Sequence, residues 1–178
     1  IKKALNDGGK RFISIGGGSG VGKSALVENI KYKTRPLNIF FAEAKFEQQK
    51  NMQTFNAIFE ALKEYVKMIL LKKEEDILAF KKILMEGIGE NVQLISDLIP
   101  ELKAVVQEEF TLGELHPNEA QNRFNITFLK FIKLISSFDE KLVLFIDDMQ
   151  WSDVTTIKMI DLIEQDKDID DLVIILSY

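Results

Sequence analysis

The chain has 178 residues, of which 46% are hydrophobic and 29% are charged, and its net charge is −5. This composition is typical of a globular domain with a sizeable core, and the mixed charges argue against broad binding to nucleic acid or to anionic membranes. The lack of cysteine excludes disulfides and thiolate metal sites, and a lone histidine, His116, cannot build a zinc site. No apolar run approaches the roughly 18 residues that span a bilayer, and no signal peptide is recognisable, so we expect a cytoplasmic protein without membrane contact.

Residues 17–24 read Gly-Gly-Ser-Gly-Val-Gly-Lys-Ser and match the pattern G-x-x-x-x-G-K-S of a phosphate-binding loop. In such a loop, glycines let the backbone curl so that amide groups point at phosphate oxygens. Lys23 contributes a charge for the β- and γ-phosphates, and the hydroxyl of Ser24 can bind Mg²⁺. A strand predicted over residues 11–15 and a helix predicted over residues 21–31 supply the context that the motif requires. The sequence therefore predicts a nucleotide-binding site.

The helix after this loop is predicted to carry Ala25, Leu26 and Ile30 on one apolar face. Contacts with the nucleotide are expected from the loop and from the first residues of the helix, whose positive dipole end points at the same phosphates. The expected contact residues are Gly17, Gly18, Ser19, Gly20, Val21, Gly22, Lys23, Ser24 and Ala25.

Downstream of the loop, strand and helix patterns alternate. Strands are predicted over residues 38–46, 142–146 and 171–177, and a helix over residues 154–164. The segment at about 47–140 is predicted to be a large helical insertion, in which stripes of apolar residues at three- and four-residue spacing form core. We therefore predict an α/β fold: a three-layer sandwich around a mostly parallel, doubly wound sheet.

The insertion divides into several predicted helices. They cover residues 52–72, the stretch from Asp76 to near Gly87 or Gly89, residues 91–99, and a longer helix from about Asn118. The chain starts at an isoleucine and stops on an apolar, strand-like run. We therefore expect residues 1–178 to form a single nucleotide-binding domain cut from a longer polypeptide.

A second candidate half of the site follows the strand at residues 142–146. Two aspartates end this strand, and the carboxyl ends of parallel strands are where ligands bind. Asp147 is therefore a candidate Mg²⁺ ligand opposite Ser24, since Mg²⁺ prefers oxygen ligands. Asp148 is the candidate group that polarises the attacking water. The alternative interpretation is that both aspartates are only turn residues that end the strand.

Further motifs make the chain similar to a known family. They are A-K-F-E-Q at 44–48, I-P-E-L at 99–102, E-A-Q-N-R-F at 119–124 and L-F-I-D-D-M-Q-W-S-D at 144–153. Together with the phosphate-binding loop, this order resembles the AAA-type P-loop ATPase domain of the STAND class, the signal-transduction ATPases with numerous domains. Such domains occur in large bacterial multidomain serine/threonine or histidine kinases and related regulators. The resemblance covers nearly the whole chain.

This resemblance implies a site and a set of partners. Lys23 and Ser24 would bind phosphate and Mg²⁺, Asp147 would be the acid of the Mg²⁺ site, and Asp148 would assist hydrolysis of ATP. AAA enzymes usually carry glutamate where this chain has Asp148, which is one methylene shorter, so slow turnover is expected. Ser177 is the nearest candidate for a nucleotide-state sensor, and the family's C-terminal helical lid is not in the sequence. The implied ligands are ATP or ADP with Mg²⁺, and the implied partners are other domains of the polypeptide and a nucleotide-dependent oligomer.

The leading hypothesis from the sequence is an ATP-dependent signalling switch. A nucleotide-binding scaffold without turnover is one alternative, and a small-molecule kinase is another, although an arginine- or lysine-rich lid for the kinase is not evident. A GTPase is disfavoured because the N-K-x-D motif that reads guanine is missing. Trp151 fits either packing or stacking on adenine. Lys45, Glu47 and Gln48, just past the second strand, can touch nucleotide or a partner.

Overall fold

The fold is built on a four-stranded parallel sheet with the strand order β1-β4-β3-β2. The computed structural model describes residues 9–18, 20–34, 36–46 and 56–178. The strands are β1 (Arg11–Ile15), β2 (Ile39–Lys45), β3 (Lys141–Asp147) and β4 (Leu172–Ser177). The α/β class and the parallel sheet predicted from the sequence are therefore confirmed.

Two central strands explain the uninterrupted apolar runs in the sequence. Residues 142–146 of β3 and 172–175 of β4 are buried without alternation, because helices cover both faces of the sheet. On one face, Val143 and Phe145 pack with Val27. The opposite face, which carries Leu144, belongs to the larger core made with the remaining helices.

Helices follow and connect the strands. They are α1 (Lys23–Thr34), α2 (Asn56–Leu70), α3 (Glu74–Ile88), α4 (Val92–Ser96), α5 (Leu102–Val106), α6 (Pro117–Ser137) and α7 (Val154–Gln165), with 3₁₀ turns at Gly89–Asn91 and Met149–Trp151. Within the described residues, the segment between β2 and β3 is largely helical. Among these helices, none combines the length and the apolarity that crossing a lipid bilayer requires.

Helix α1 differs from its prediction. It begins at Lys23 rather than at residue 21, and it leaves Ala25 and Leu26 exposed while Val27 is buried. The strand and loop before α1 fix how the helix lies on the sheet, so a weak apolar stripe does not decide which side faces inward. Near its end, Lys31 pairs with the Glu43 carboxylate of β2. Helix α1 is therefore attached to the sheet by few apolar contacts.

The helices of the insertion agree with the sequence at some boundaries and differ at others. Helix α3 ends where Gly89 adopts a φ of 53°, as predicted for a helix stop at glycine. Its start is wrong in the prediction: Asp76 lies in the first turn instead of capping it, because its N–H bonds to the carbonyl of Lys73 at 3.0 Å. Helix α4 stops at Ser96, before residue 99. Residues 52–55 of the predicted second helix lie outside the described residues.

Tyr65 on α2 lies at the centre of the larger core. Its side chain is fully buried, and its ring meets Phe40 edge-on at 5.1 Å and Phe80 at 6.3 Å. The phenol donates a hydrogen bond to the carbonyl of Ile135 on α6 at 3.1 Å, and burial raises the pKa of this phenol. The aromatic stripes of the insertion are thus core, as predicted, and Tyr65 ties α2 to α6.

Replacing Tyr65 with phenylalanine is expected to lower the free energy of unfolding by about 1 kcal/mol, because the ring stays and only one buried hydrogen bond is lost. Tyr65→Ala should cost about 3–5 kcal/mol, because it also leaves a cavity. Urea unfolding followed by circular dichroism measures both. Tyr32→Phe is the control, since Tyr32 is 68% exposed. Equal losses for Tyr65→Phe and Tyr65→Ala would contradict the assignment of Tyr65 to packing.

Candidate nucleotide site

One edge of the sheet collects the polar residues that the sequence singled out. In the parallel register, Lys45 of β2 pairs with Asp147 of β3, and Ile15 of β1 pairs with Ser177 of β4. The glycine-rich loop leaves β1 at this same edge and leads directly into α1. Because all four strands run the same way, residues far apart in sequence meet at their carboxyl ends.

The shape of the loop depends on glycine at several positions. Gly20 and Gly22 adopt φ values of 80° and 94°, a region that other residues rarely enter. Gly17 is favoured for a different reason: a Cβ there would lie 2.8 Å from the Cγ2 atom of Val21, whose side chain would have to shift. The conformation of the loop therefore favours glycine at Gly20 and Gly22 and a small residue at Gly17. Ser19 lies outside the described residues.

The loop closes around its own lysine. The Nζ atom of Lys23 donates hydrogen bonds to the carbonyl oxygens of Gly17 at 2.6 Å and of Gly18 at 3.3 Å. An ammonium group held by neutral carbonyls keeps its full positive charge available for an incoming anion. This arrangement fits a lysine that moves a short distance to meet phosphate oxygens.

Gly17 has a role that the motif does not predict. Its N–H donates to the carbonyl oxygen of Tyr178 at 3.2 Å and is therefore already engaged. Gly17 shapes the loop by its small size and supplies a carbonyl to Lys23, whereas its amide is directed at β4.

Asp147 is a buried carboxylate with defined partners. Its side chain is 7% exposed, and its Oδ1 atom accepts hydrogen bonds from the hydroxyl of Ser177 and from the N–H of Asp148, the latter at 3.0 Å. Buried carboxylates are costly unless they are hydrogen-bonded. Ser177 therefore holds Asp147 in a fixed orientation at the end of β3.

Asp148 adopts a left-handed backbone conformation with a φ of 58°. Its Oδ1 atom accepts a hydrogen bond from the amide of Gln150 at 3.1 Å, and its Oδ2 atom lies 4.0 Å from the Nζ atom of Lys45. Both carboxylate oxygens thus face donors. Each oxygen keeps a further lone pair with which it can accept a hydrogen bond from a water molecule.

These groups surround one cavity of 560 Å³. It is lined by Gly17, Gly20, Gly22, Lys23, Ser24, Ala25, Lys45, Asp147, Asp148, Gln150, Trp151 and Tyr178. Most of the expected contact residues therefore meet there. Gly18 and Val21 do not line it, although the carbonyl of Gly18 bonds to Lys23 and Val21 is 67% exposed in the adjacent turn.

The cavity is also lined by residues for which the sequence predicts no definite role. Trp151 is 38% exposed and lines the cavity, so core packing alone does not account for it. Lys45 lines the cavity too, whereas Glu47 and Gln48 lie outside the described residues. Tyr178 was missed, and its signal in the sequence was its position directly after β4, at the edge where the loop begins.

The turn after Asp148 is held by a helix cap. Residues Met149–Trp151 form a 3₁₀ turn, and Asp153 then accepts hydrogen bonds from the N–H and the hydroxyl of Thr156, at 2.8 and 3.0 Å. This is a regular N-cap for α7. The cap fixes the chain path that carries Gln150 and Trp151 past the cavity.

The donor set of the cavity fits a magnesium nucleotide. It combines a glycine-lined loop, the cation of Lys23, the hydroxyl of Ser24 and the carboxylate of Asp147. Hydroxyl and carboxylate oxygens are ligands that Mg²⁺ takes, together with phosphate oxygens and water. Within the described residues, no group of three or more histidine, cysteine, aspartate or glutamate side chains is arranged to hold a metal ion.

A parallel α/β sandwich with a glycine-rich loop between β1 and α1, facing an acidic strand end, defines a P-loop nucleotide-binding domain. Within that class, the chain belongs to the AAA ATPase domain family, whose model matches residues 1–175. The AAA-type resemblance drawn from the sequence motifs is thereby confirmed.

A curated relative is a much longer protein than this chain. The hybrid signal transduction histidine kinase G of Dictyostelium discoideum is 34% identical over 161 residues. The matched part covers 90% of this chain and 5% of that protein. The relative is a histidine kinase, as the resemblance implies, but it does not come from a bacterium. No solved structure matches the chain.

Replacing Ser177 with alanine is expected to lower the free energy of unfolding by about 1–3 kcal/mol, because the buried carboxylate of Asp147 loses a donor. Chemical denaturation at neutral pH measures this change. Ser137→Ala is the matched control: its hydroxyl bonds only to helix carbonyls at an exposed position, so a change within about 0.5 kcal/mol is expected. Similar losses in both variants would contradict the proposed support of Asp147.

Proposed function

We propose that this domain binds ATP or ADP with Mg²⁺, hydrolyses ATP slowly, and acts as a nucleotide switch in a multidomain signalling protein of the STAND class. The observation that carries the proposal is that Lys23, Ser24 and Asp147 line one cavity beside a curled glycine loop. The signalling role is supported by the name of the relative, a hybrid signal transduction histidine kinase. Nucleotide state would bias two arrangements of the larger protein.

Each residue in the cavity has a proposed task. Lys23 would exchange its bonds to loop carbonyls for phosphate oxygens and offset charge at the γ-phosphate. Ser24 and Asp147 would hold Mg²⁺, which neutralises phosphate charge when bound. Asp148 would orient the attacking water and accept its proton.

The contacts of Asp148 favour slow rather than fast hydrolysis. Its Oδ1 atom accepts from Gln150 and its Oδ2 atom lies 4.0 Å from Lys45, so turning the carboxylate toward a water molecule competes with these two contacts. Its side chain is also one methylene shorter than the usual glutamate, which leaves the carboxylate farther from the attacking water. Slow turnover suits a switch, because the nucleotide state then lasts long enough to be read by other domains.

A scaffold that binds nucleotide without turnover is the second candidate. The same contacts of Asp148 with Gln150 and Lys45 support it, because they compete with the orientation of a water molecule by this carboxylate. Nucleotide-dependent oligomerisation is a further proposal, drawn from the family resemblance alone. A phosphate release assay on the full-length protein separates the switch from the scaffold.

Saturating Mg²⁺-ATP, at about 100 times its dissociation constant, is expected to stabilise the domain by about 2.7 kcal/mol, or roughly 5–10 °C in Tm. Lys23→Ala should remove most of this shift, because the loop loses the only cation that its motif supplies. Differential scanning fluorimetry with ATP, ADP and GTP measures the shift. Lys33→Ala, an exposed lysine in the last turn of α1, is the control that should retain it. No shift of the unmodified domain with any nucleotide would overturn the proposal.

Asp148→Asn is expected to reduce phosphate release by about 10²–10⁴-fold while leaving the affinity for Mg²⁺-ATP within about threefold, because it removes the base but keeps the shape. A single-turnover assay of phosphate release gives the rate, and calorimetry gives the affinity. Asp161→Asn, on the exposed side of α7, is the control.

Unchanged release in Asp148→Asn would exclude Asp148 as the base. Binding of ATP without any release in the full-length protein would favour the scaffold. Release that needs an added small-molecule acceptor would indicate a kinase.

A further inference from the structure

Tyr178 extends the pairing of β4 beyond the end of β1 and into the phosphate loop. Its N–H donates to the carbonyl of Ile15 at 3.2 Å, and its carbonyl accepts from the N–H of Gly17 at 3.2 Å. The first residues of the loop are therefore held to β4 by backbone hydrogen bonds. A side chain at this position has a fixed relation to the loop.

The ring of Tyr178 lies against Gly16, just before the motif begins. A Cβ on Gly16 would lie 3.0 Å from Cε2 and 3.1 Å from both Cζ and Oη of this ring. Gly16 does not adopt a positive φ, so its backbone accepts other residues. A larger residue at this position would require the ring of Tyr178 to shift by a few tenths of an ångström.

The same ring is 57% exposed and lines the cavity beside Lys23 and Asp147. The preceding residue, Ser177, bonds to Asp147. Two consecutive residues at the end of β4 thus contact both halves of the site: Ser177 the acidic half and Tyr178 the loop.

We propose that Tyr178 is a positioning residue of the nucleotide site: its ring braces Gly16 and keeps the phosphate loop curled for phosphate. The inference rests on the proposed nucleotide binding and adds a residue outside the motif to it. A loop that is already held in the conformation that binds phosphate loses less conformational entropy when the anion binds. By linkage, phosphate bound at the loop holds Tyr178 in place to the same extent.

The test compares Gly16→Ala, Tyr178→Ala and the double variant in Mg²⁺-ADP and Mg²⁺-ATP affinity by calorimetry. Gly16→Ala displaces the ring by a few tenths of an ångström, and we expect the affinity to fall about fivefold. Tyr178→Ala removes the brace and should cost a similar factor. The double variant should bind like Tyr178→Ala alone, because the added methyl group then has nothing to displace.

Two controls separate bracing from general damage. Tyr178→Phe keeps the ring and should bind within about twofold of the unmodified domain, since only the hydroxyl is lost. Gly113→Ala adds a methyl group at a glycine with open space around its Cβ, away from the cavity, and should change nothing. The unfolding midpoint without nucleotide, measured for every variant, shows whether affinity falls further than stability.

The outcomes are distinct. The brace is supported if each single variant lowers the nucleotide affinity and the double variant binds no more weakly than Tyr178→Ala alone. Additive losses, or affinity that Gly16→Ala and Tyr178→Ala both leave unchanged, overturn it while the proposed function stands. A domain that binds no nucleotide even without substitutions overturns the proposed function, and the brace falls with it.

Discussion

The whole arrangement depends on the parallel pairing of four strands whose two central members are buried on both faces. Each large apolar side chain that β3 and β4 bury stabilises the fold by about 1.5–3 kcal/mol. This burial keeps the two strands at the centre of the sheet. Once these strands are central and parallel, their carboxyl ends have to lie side by side. The loop after β1, Asp147 and Ser177 are neighbours for this reason, and no long-range contact between their side chains is needed to bring them together.

The site is electrostatically balanced without an added ion. The Lys23 ammonium is held by carbonyl oxygens, the Asp147 carboxylate accepts from Ser177, and Asp148 faces Lys45. The contacts of Lys23 and Asp148 are partly exposed and can be exchanged, whereas the bond between Ser177 and Asp147 is buried. A site of this kind is prepared for an anion and yet stable in its absence.

The sequence predicts the parts of this structure that follow from the spacing of apolar residues and from recognisable motifs. The apolar run before Asp147 and the glycine-rich loop specify a strand end and a phosphate cradle, and the structure brings them to one edge. It does not predict the start of α3, since a local acidic residue such as Asp76 resembles a cap wherever it falls near a helix start. It also does not predict which side of α1 is buried, because the docking of that helix is decided by its neighbours on the sheet. The role of Tyr178 stays hidden for a related reason: a contact with a glycine carries no periodicity.

Helix α1 buries few side chains against the sheet, and this has a consequence for the dynamics of the domain. A helix that buries little beyond Val27 and is otherwise tethered through Lys31 adds little to the cooperative core. Such a segment opens at lower free energy than the central strands, so its amides exchange with solvent sooner than those of β3 and β4. Its first turn carries Lys23 and Ser24, whereas its far end rests on the edge strand β2. Phosphate bound at the first turn would therefore order a helix that is otherwise held by few contacts.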